Sequence, residues 1–202
     1  MSRLVGLGSI VVDLVLPVPS LPERGGDVLA SSSVTAVGGG LNALVAASRA
    51  GLPSAYGGGH GTGPFGDLVR TALASEDVPA LLPAAPDEDT GFCVVLVDPE
   101  GERTFVTTVG AEGHLSGTQL AQLAIGPDDH VYVSGYDLAY PHAAEVAAAV
   151  AGLPAGCTVL LDPGPLVADL GRDLLATVLS RTSWASLNAR EAELWTGLAD
   201  PA

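Results

Sequence analysis

Apolar positions along the chain change rhythm twice, and each change predicts a different piece of architecture. Residues 4–7 and 10–16 are nearly continuous runs of Val, Leu and Ile broken at Gly8, the pattern of a strand and an extended continuation. Pro17, Pro19 and Pro22 then interrupt regular structure, and residues 28–37 alternate loosely, as a sheet outside the main core does. An Ala/Val-rich stretch over 41–50 ends at Gly51 and predicts a helix; 54–56 predict a short strand and 65–75 a second helix. Residues 92–97 and 104–108, separated by Asp98-Pro-Glu-Gly-Glu102, predict a β-hairpin around a Pro/Gly turn.

From Ser116 strands and helices alternate regularly. A short helix opens with a capping box of Ser116 and Gln119. A strand at 130–134, a helix at 142–151, a strand at 158–161, a helix at 166–179, a strand at 184–187 and a last helix after Asn188 follow. This order predicts an α/β fold, a mostly parallel sheet with helices on both faces, whose ligands sit at the carboxyl ends of the strands. Asp162, Asn188 and residues 135–137 fall at such ends.

With 202 residues and 48% hydrophobic content the chain can close one sizeable core, so a single domain over 1–202 is expected. The net charge of −15 comes from 23 acidic and 8 basic residues, every basic one an Arg. That balance argues against nucleic acid or an anionic membrane as partner, since phosphates need a positive footprint. No apolar run approaches the ~20 residues of a membrane span, and the N-terminus reads as a first strand. Cys93 and Cys157 lie in apolar surroundings as lone thiols, which leaves a cytoplasmic location as the expectation.

Several motifs in the chain touch on other chemistries. Gly61-Thr-Gly-Pro-Phe-Gly66 matches the G-x-G-x-x-G of dinucleotide-binding oxidoreductases, but Pro64 removes an N–H from the loop that would cradle pyrophosphate. A Walker-type loop needs a lysine, and the chain has none. The four histidines show no metal-ligand spacing, and Tyr132 stands where a nucleophile elbow at Ser134 needs glycine.

The strongest signal is Gly38-Gly-Gly-Leu-Asn42 at the mouth of a predicted helix. Consecutive glycines hold no side chain against an approaching ligand, and an Asn both donates and accepts hydrogen bonds. Gly51 and Gly61 follow at the intervals of the first signature of the ribokinase-like (phosphofructokinase-B type) carbohydrate kinases, although Leu44 stands where a small residue is usual. Gly8-Ser-Ile-Val-Val-Asp13, Gly63-Pro-Phe-Gly-Asp67 and Asn188-Ala-Arg-Glu191 resemble further elements of that family, so the resemblance spans essentially the whole chain.

The resemblance implies a ribokinase-like fold with a small β-sheet lid over residues 14–37 and 91–109, which in this family often forms a homodimer contact. It implies ATP-dependent, Mg2+-assisted phosphorylation of a sugar or related hydroxylated metabolite. Asp13 would accept hydrogen bonds from sugar hydroxyls, and Gly39, Gly40 and Asn42 would line the same pocket. Asn188 and Glu191 would be the N-x-x-E element that helps hold magnesium and phosphate. The same pair also reads simply as a helix cap. The family's Gly-Ala-Gly-Asp motif, with its catalytic aspartate and anion hole, does not occur in 1–202, so the expectation is a C-terminally truncated kinase, inactive by itself, with no residue assignable as catalytic base. A non-catalytic sugar-binding module of the same fold is the alternative, and a dinucleotide-binding oxidoreductase the weaker one.

Overall fold

Five short strands build the main sheet of the computed structural model, which describes residues 2–199: β1 (Leu4–Gly6), β4 (Ser54–Tyr56), β7 (His130–Ser134), β8 (Thr158–Asp162) and β9 (Trp184–Ala185). They pair in the order β4-β1-β7-β8-β9, all parallel. Neighbouring residues of a strand point to opposite faces. Val5, Val131 and Val159 accordingly join one core with Val146 and Val150 of α4 (Ala143–Ala151) and Val178 of α5 (Arg172–Leu179). Leu4 and Tyr56 join the other, with Leu41 and Leu44 of α1 (Leu41–Arg49) and Val69 and Leu73 of α2 (Pro64–Ser75). Helices thus cover both faces, as parallel strands without a wet side require. Towards β9 the α1 side is open: a groove runs past Leu160, and Trp184 is 71% exposed.

The second sheet, in the order β3-β2-β5-β6, holds β2 (Val12–Pro17), β3 (Val34–Val37), β5 (Phe92–Val97) and β6 (Arg103–Thr108). The expected hairpin is β5–β6. Its turn is fixed by Asp98, whose carboxylate accepts the Glu102 N–H at 2.9 Å, and by Gly101 at φ +86°. Pairing of β2 with β5 is parallel and joins segments far apart in sequence, with Asp13 beside Cys93 and Cys93 beside Thr107. Glu112, buried beneath this sheet, accepts the N–H groups of Gly91 at 2.8 Å and Gly110 at 3.0 Å, so one carboxylate ties both ends of the hairpin.

Three element expectations differ from the structure, the first being the strand expected at 184–187, which extends only over Trp184–Ala185. Residues 28–33 are not a strand, because Leu29 and the three serines after it lie exposed without a ladder partner, and only 34–37 pair with β2. The helix expected over 166–179 begins at Arg172; before it stand a 3-10 turn, Gly164–Leu166, and a break at Gly171.

The glycine loop 61–66 gives no room to a dinucleotide. At the α2 N-terminus, where pyrophosphate would sit, the N–H groups of Phe65 (3.1 Å) and Gly66 (2.7 Å) already donate to the Asp89 carboxylate, and Gly61 N–H donates to Thr90 Oγ1 at 2.9 Å. Gly61 and Gly63 serve close packing against residues 88 and 89, and Gly66 against the Gly61 carbonyl. Burial pushes the Asp89 carboxyl up, but the backbone N–H groups of Gly66, Phe65, Thr90 and Gly63 outweigh it and hold it below the usual value. Asp89→Ala should therefore lose roughly 1–2 kcal/mol of stability at pH 7. A depressed folded pKa stabilises above the unfolded value near 3.9, and that share disappears as pH falls through the folded one. The gap between wild type and variant in urea melts should therefore shrink at pH 3; a constant gap would show that Asp89 does not act as a charged cap.

Candidate functional site

Where the two sheets approach each other the chain leaves a cavity of about 300 Å3. Its floor is the loop after β1. Ser9 is fixed there because its N–H donates to Asp137 Oδ1 at 3.1 Å, and its carbonyl accepts the Gly40 N–H at 2.8 Å. Gly39 adopts φ +65°, which favours glycine, and a Cβ on Gly40 would stand 2.5 Å from the Gly8 carbonyl oxygen. Gly39 and Gly40 are thus pressed backbone to backbone against residues 8–9 and line the cavity, while Gly38 packs against the Asp13 carboxylate.

The small sheet forms the facing wall. Alternation along β2 sends Asp13 to the same face as Val11 and Val15, and across the sheet Cys93 and Thr107 continue the row, with the Thr107 hydroxyl 3.3 Å from the thiol sulfur. Asp13, Cys93, Thr107 and Phe105 line the cavity. Burial raises the Asp13 carboxyl above its ordinary value, and the Arg103 guanidinium partly opposes this.

Carboxyl ends of the main strands supply the remaining wall. Asp162, at the end of β8, accepts from the Tyr132 hydroxyl at 3.3 Å and from Gly164 N–H at 3.2 Å. Tyr132, Tyr136, Tyr140 and Ser134 also face in. Asp137 does not; it is fully buried behind Ser9, accepting from the backbone N–H and the hydroxyl of Ser134, both at 3.0 Å. His142 stands beside it. Burial lowers the imidazole to about 4, its Nδ1 accepts the Leu115 N–H at 3.1 Å, and the remaining proton therefore sits on Nε2, 3.9 Å from Asp137 Oδ1.

Asn188 and Glu191 open α6 (Ala189–Thr196) as a reciprocal cap. Asn188 N–H and Nδ2 donate to the two Glu191 oxygens at 2.9 and 2.8 Å, and Asn188 Oδ1 accepts the Glu191 N–H at 2.8 Å. The buried Glu191 reaches the cavity, whereas Asn188 lines an adjoining groove with Arg103 and Arg190. Each Glu191 oxygen thus accepts one hydrogen bond within the cap and keeps a further lone pair. The described residues form no group of three His, Cys, Asp or Glu able to hold a metal ion. Mg2+ keeps several of its waters and takes one or two carboxylates, so Glu191 would meet such an ion chiefly through water.

Asn42 differs from expectation. On α1 the core-facing positions are Leu41 and Leu44, so the helical phase turns Asn42 outward, exposed, into a shallow groove with Val45, Arg49 and Glu76. It does not share the cavity with Asp13. Conversely, sequence reading missed Cys93, Phe105 and Thr107, whose presence depends on strand register, and the three tyrosines. For Tyr136 the strand-end segment 135–137 was the available signal.

Comparison with known proteins agrees with this architecture. The model of the pfkB family carbohydrate kinases matches residues 1–202. The "uncharacterized sugar kinase YegV" of Escherichia coli (strain K12) is 34% identical over 189 residues, and the match takes in 93% of this chain and 58% of that protein's length. Among solved structures, the fructokinase of Halothermothrix orenii superimposes with a TM-score of 0.81 at 17% identity, covering 98% of this chain and 72% of that one. The ribokinase of Cryptococcus neoformans var. grubii serotype A, in complex with ADP, gives 0.75 at 24% identity, covering 96% and 59%. No helix among the described residues is long and apolar enough to cross a membrane.

Proposed function

The chain belongs to the pfkB family of carbohydrate kinases, and on that premise we propose that it carries the substrate-binding part of an enzyme transferring phosphate from ATP to a hydroxyl of a sugar or sugar-like metabolite. One observation carries the reading: the Asp13 carboxylate and the side-chain-free backbone of Gly39 and Gly40 face a single cavity. A carboxylate takes two neighbouring hydroxyls at once, and glycine backbone admits a ligand into close contact. In this reading Asp13 orients the polyol, the Ser9 loop and glycine corner form its seat, and the small sheet closes over it as a lid that excludes water from the transferred phosphoryl group. ATP and Mg2+ belong to the proposal for the whole protein; Glu191 and Asn188 would act towards them through water and hydrogen bonds. Dimerisation through the small sheet belongs to the same proposal, and sedimentation velocity reads it.

Residues 1–202 contain no Gly-Ala-Gly-Asp motif, so none of them is assigned as the base that takes the hydroxyl proton. The purified chain, given ATP, Mg2+ and a panel of D-ribose, D-fructose and nucleosides, should bind one class of polyol in calorimetry and show no appreciable phosphate transfer. Robust turnover would overturn the assignment of this chain to binding alone, and an absence of binding across the panel would remove the sugar site.

A further inference from the structure

The cavity has a one-sided charge chemistry. Three carboxylates, Asp13, Asp162 and Glu191, line it beside a set of hydroxyls, and among the described residues no Arg or His does. Two of the chain's eight arginines, Arg103 and Arg190, line the adjoining groove instead, which meets the cavity at Phe105, Tyr136, Pro165 and Glu191. The three acids act on one space: burial raises the Tyr136 hydroxyl first, and Cys93, Asp13, Asp162 and Glu191 then raise it further.

Such a wall treats ligands unequally. A neutral polyol offers O–H donors that carboxylates accept, and an aromatic side such as Phe105 suits the C–H face of a sugar ring. A ligand bringing its own carboxylate or phosphate leaves water for a place where like charges stand close and the Arg103 guanidinium, in the neighbouring groove, offsets them only in part. The net charge of −15 opposes its approach as well.

We propose that this cavity selects uncharged polyols and rejects sugar acids and sugar phosphates, with anionic groups accommodated only in the neighbouring groove of Arg103 and Arg190. The proposal rests on the reading of the cavity as a sugar site.

Matched pairs test it on the full chain by calorimetric titration: D-ribose against D-ribose 5-phosphate, D-fructose against D-fructose 1-phosphate, and D-glucitol against D-gluconate. At least one neutral member should bind, its anionic counterpart about 100-fold more weakly or worse. Thr107→Lys, which sets an ammonium group on the wall, should narrow that ratio about tenfold. Anion uptake that survives Asp13→Ala and disappears in Arg190→Ala places the anion in the outer groove and supports the division. An anionic member binding as tightly as its neutral partner, with both signals lost in Asp13→Ala, overturns the charge selectivity and leaves the sugar site intact. Failure of all six compounds to bind overturns the sugar site and the selectivity together.

Discussion

Asp13→Ala is expected to abolish measurable polyol binding while the protein remains folded. Each hydrogen bond from a hydroxyl to an ionised acceptor contributes ~1.5–3 kcal/mol, so losing two weakens affinity by about 100-fold or more. The fold should tolerate the change because Asp13 stabilises little: burial already raises its carboxyl, and no hydrogen bond to its side chain occurs among the described residues. Thermal melting should show an unchanged or slightly higher midpoint. Calorimetry with the best-binding sugar checks the other half, and an affinity within threefold of wild type would take Asp13 out of the site.

Asp137→Ala should do the reverse, damaging the fold first and the cavity through it. Its fully buried carboxyl accepts from Ser9 N–H, Ser134 N–H and the Ser134 hydroxyl, and removing it orphans these donors in a site closed to water. Each buried group left unsatisfied costs ~1–3 kcal/mol, and with some relaxation a loss of about 3–5 kcal/mol is expected. Ser9 would then be free to shift, and with it the carbonyl that holds Gly40. Burial pushes the Asp137 carboxyl up to about 7, in spite of the Ser134 and Ser9 bonds, with the Glu112 charge adding to the rise. A folded pKa above the unfolded value near 3.9 means the folded state holds the proton more tightly. The resulting stabilisation is complete below about pH 4 and is lost as pH rises through about 7. The protonated acid can give its hydrogen to Ser134 Oγ, while His142, lowered to about 4, stays neutral across most of this window. In urea melts the deficit of Asp137→Ala relative to wild type should therefore be largest at about pH 4 and smaller at pH 8. A deficit that grows with pH would mean that the buried group is held as the anion.

Much of the main sheet could be read from the chain because its signals are local. Residues 54–56 and 130–134 form strands where apolar and β-branched runs predict them, as 92–97 do in the second sheet, and Ser116 with Gln119 closes the predicted capping box. The helix expected from Leu166 starts late for an equally local reason that apolar periodicity does not register: Asp162 accepts the N–H of Gly164, at φ +60°, and shapes a turn before the chain can become helical at Arg172. Asn42 is instructive in another way. A motif fixes its place in sequence, but its direction follows from which helical neighbours are buried, and Leu41 and Leu44 take the inward positions.

The sequence by itself determined the α/β alternation, the glycine corner with an acid upstream, and an acidic surface without lysine, because propensity, turn chemistry and charge are carried by residues near one another in the chain. Only the tertiary structure decided which side chains meet in the cavity. Asp13 stands beside Cys93 and Thr107 through the register of β2 with β5 and of β5 with β6. Three carboxylates and three tyrosines converge there from strands of both sheets, the turn after β7 and the first turn of α6. Register is set by the burial of whole faces across long sequence separations, and no local pattern encodes it.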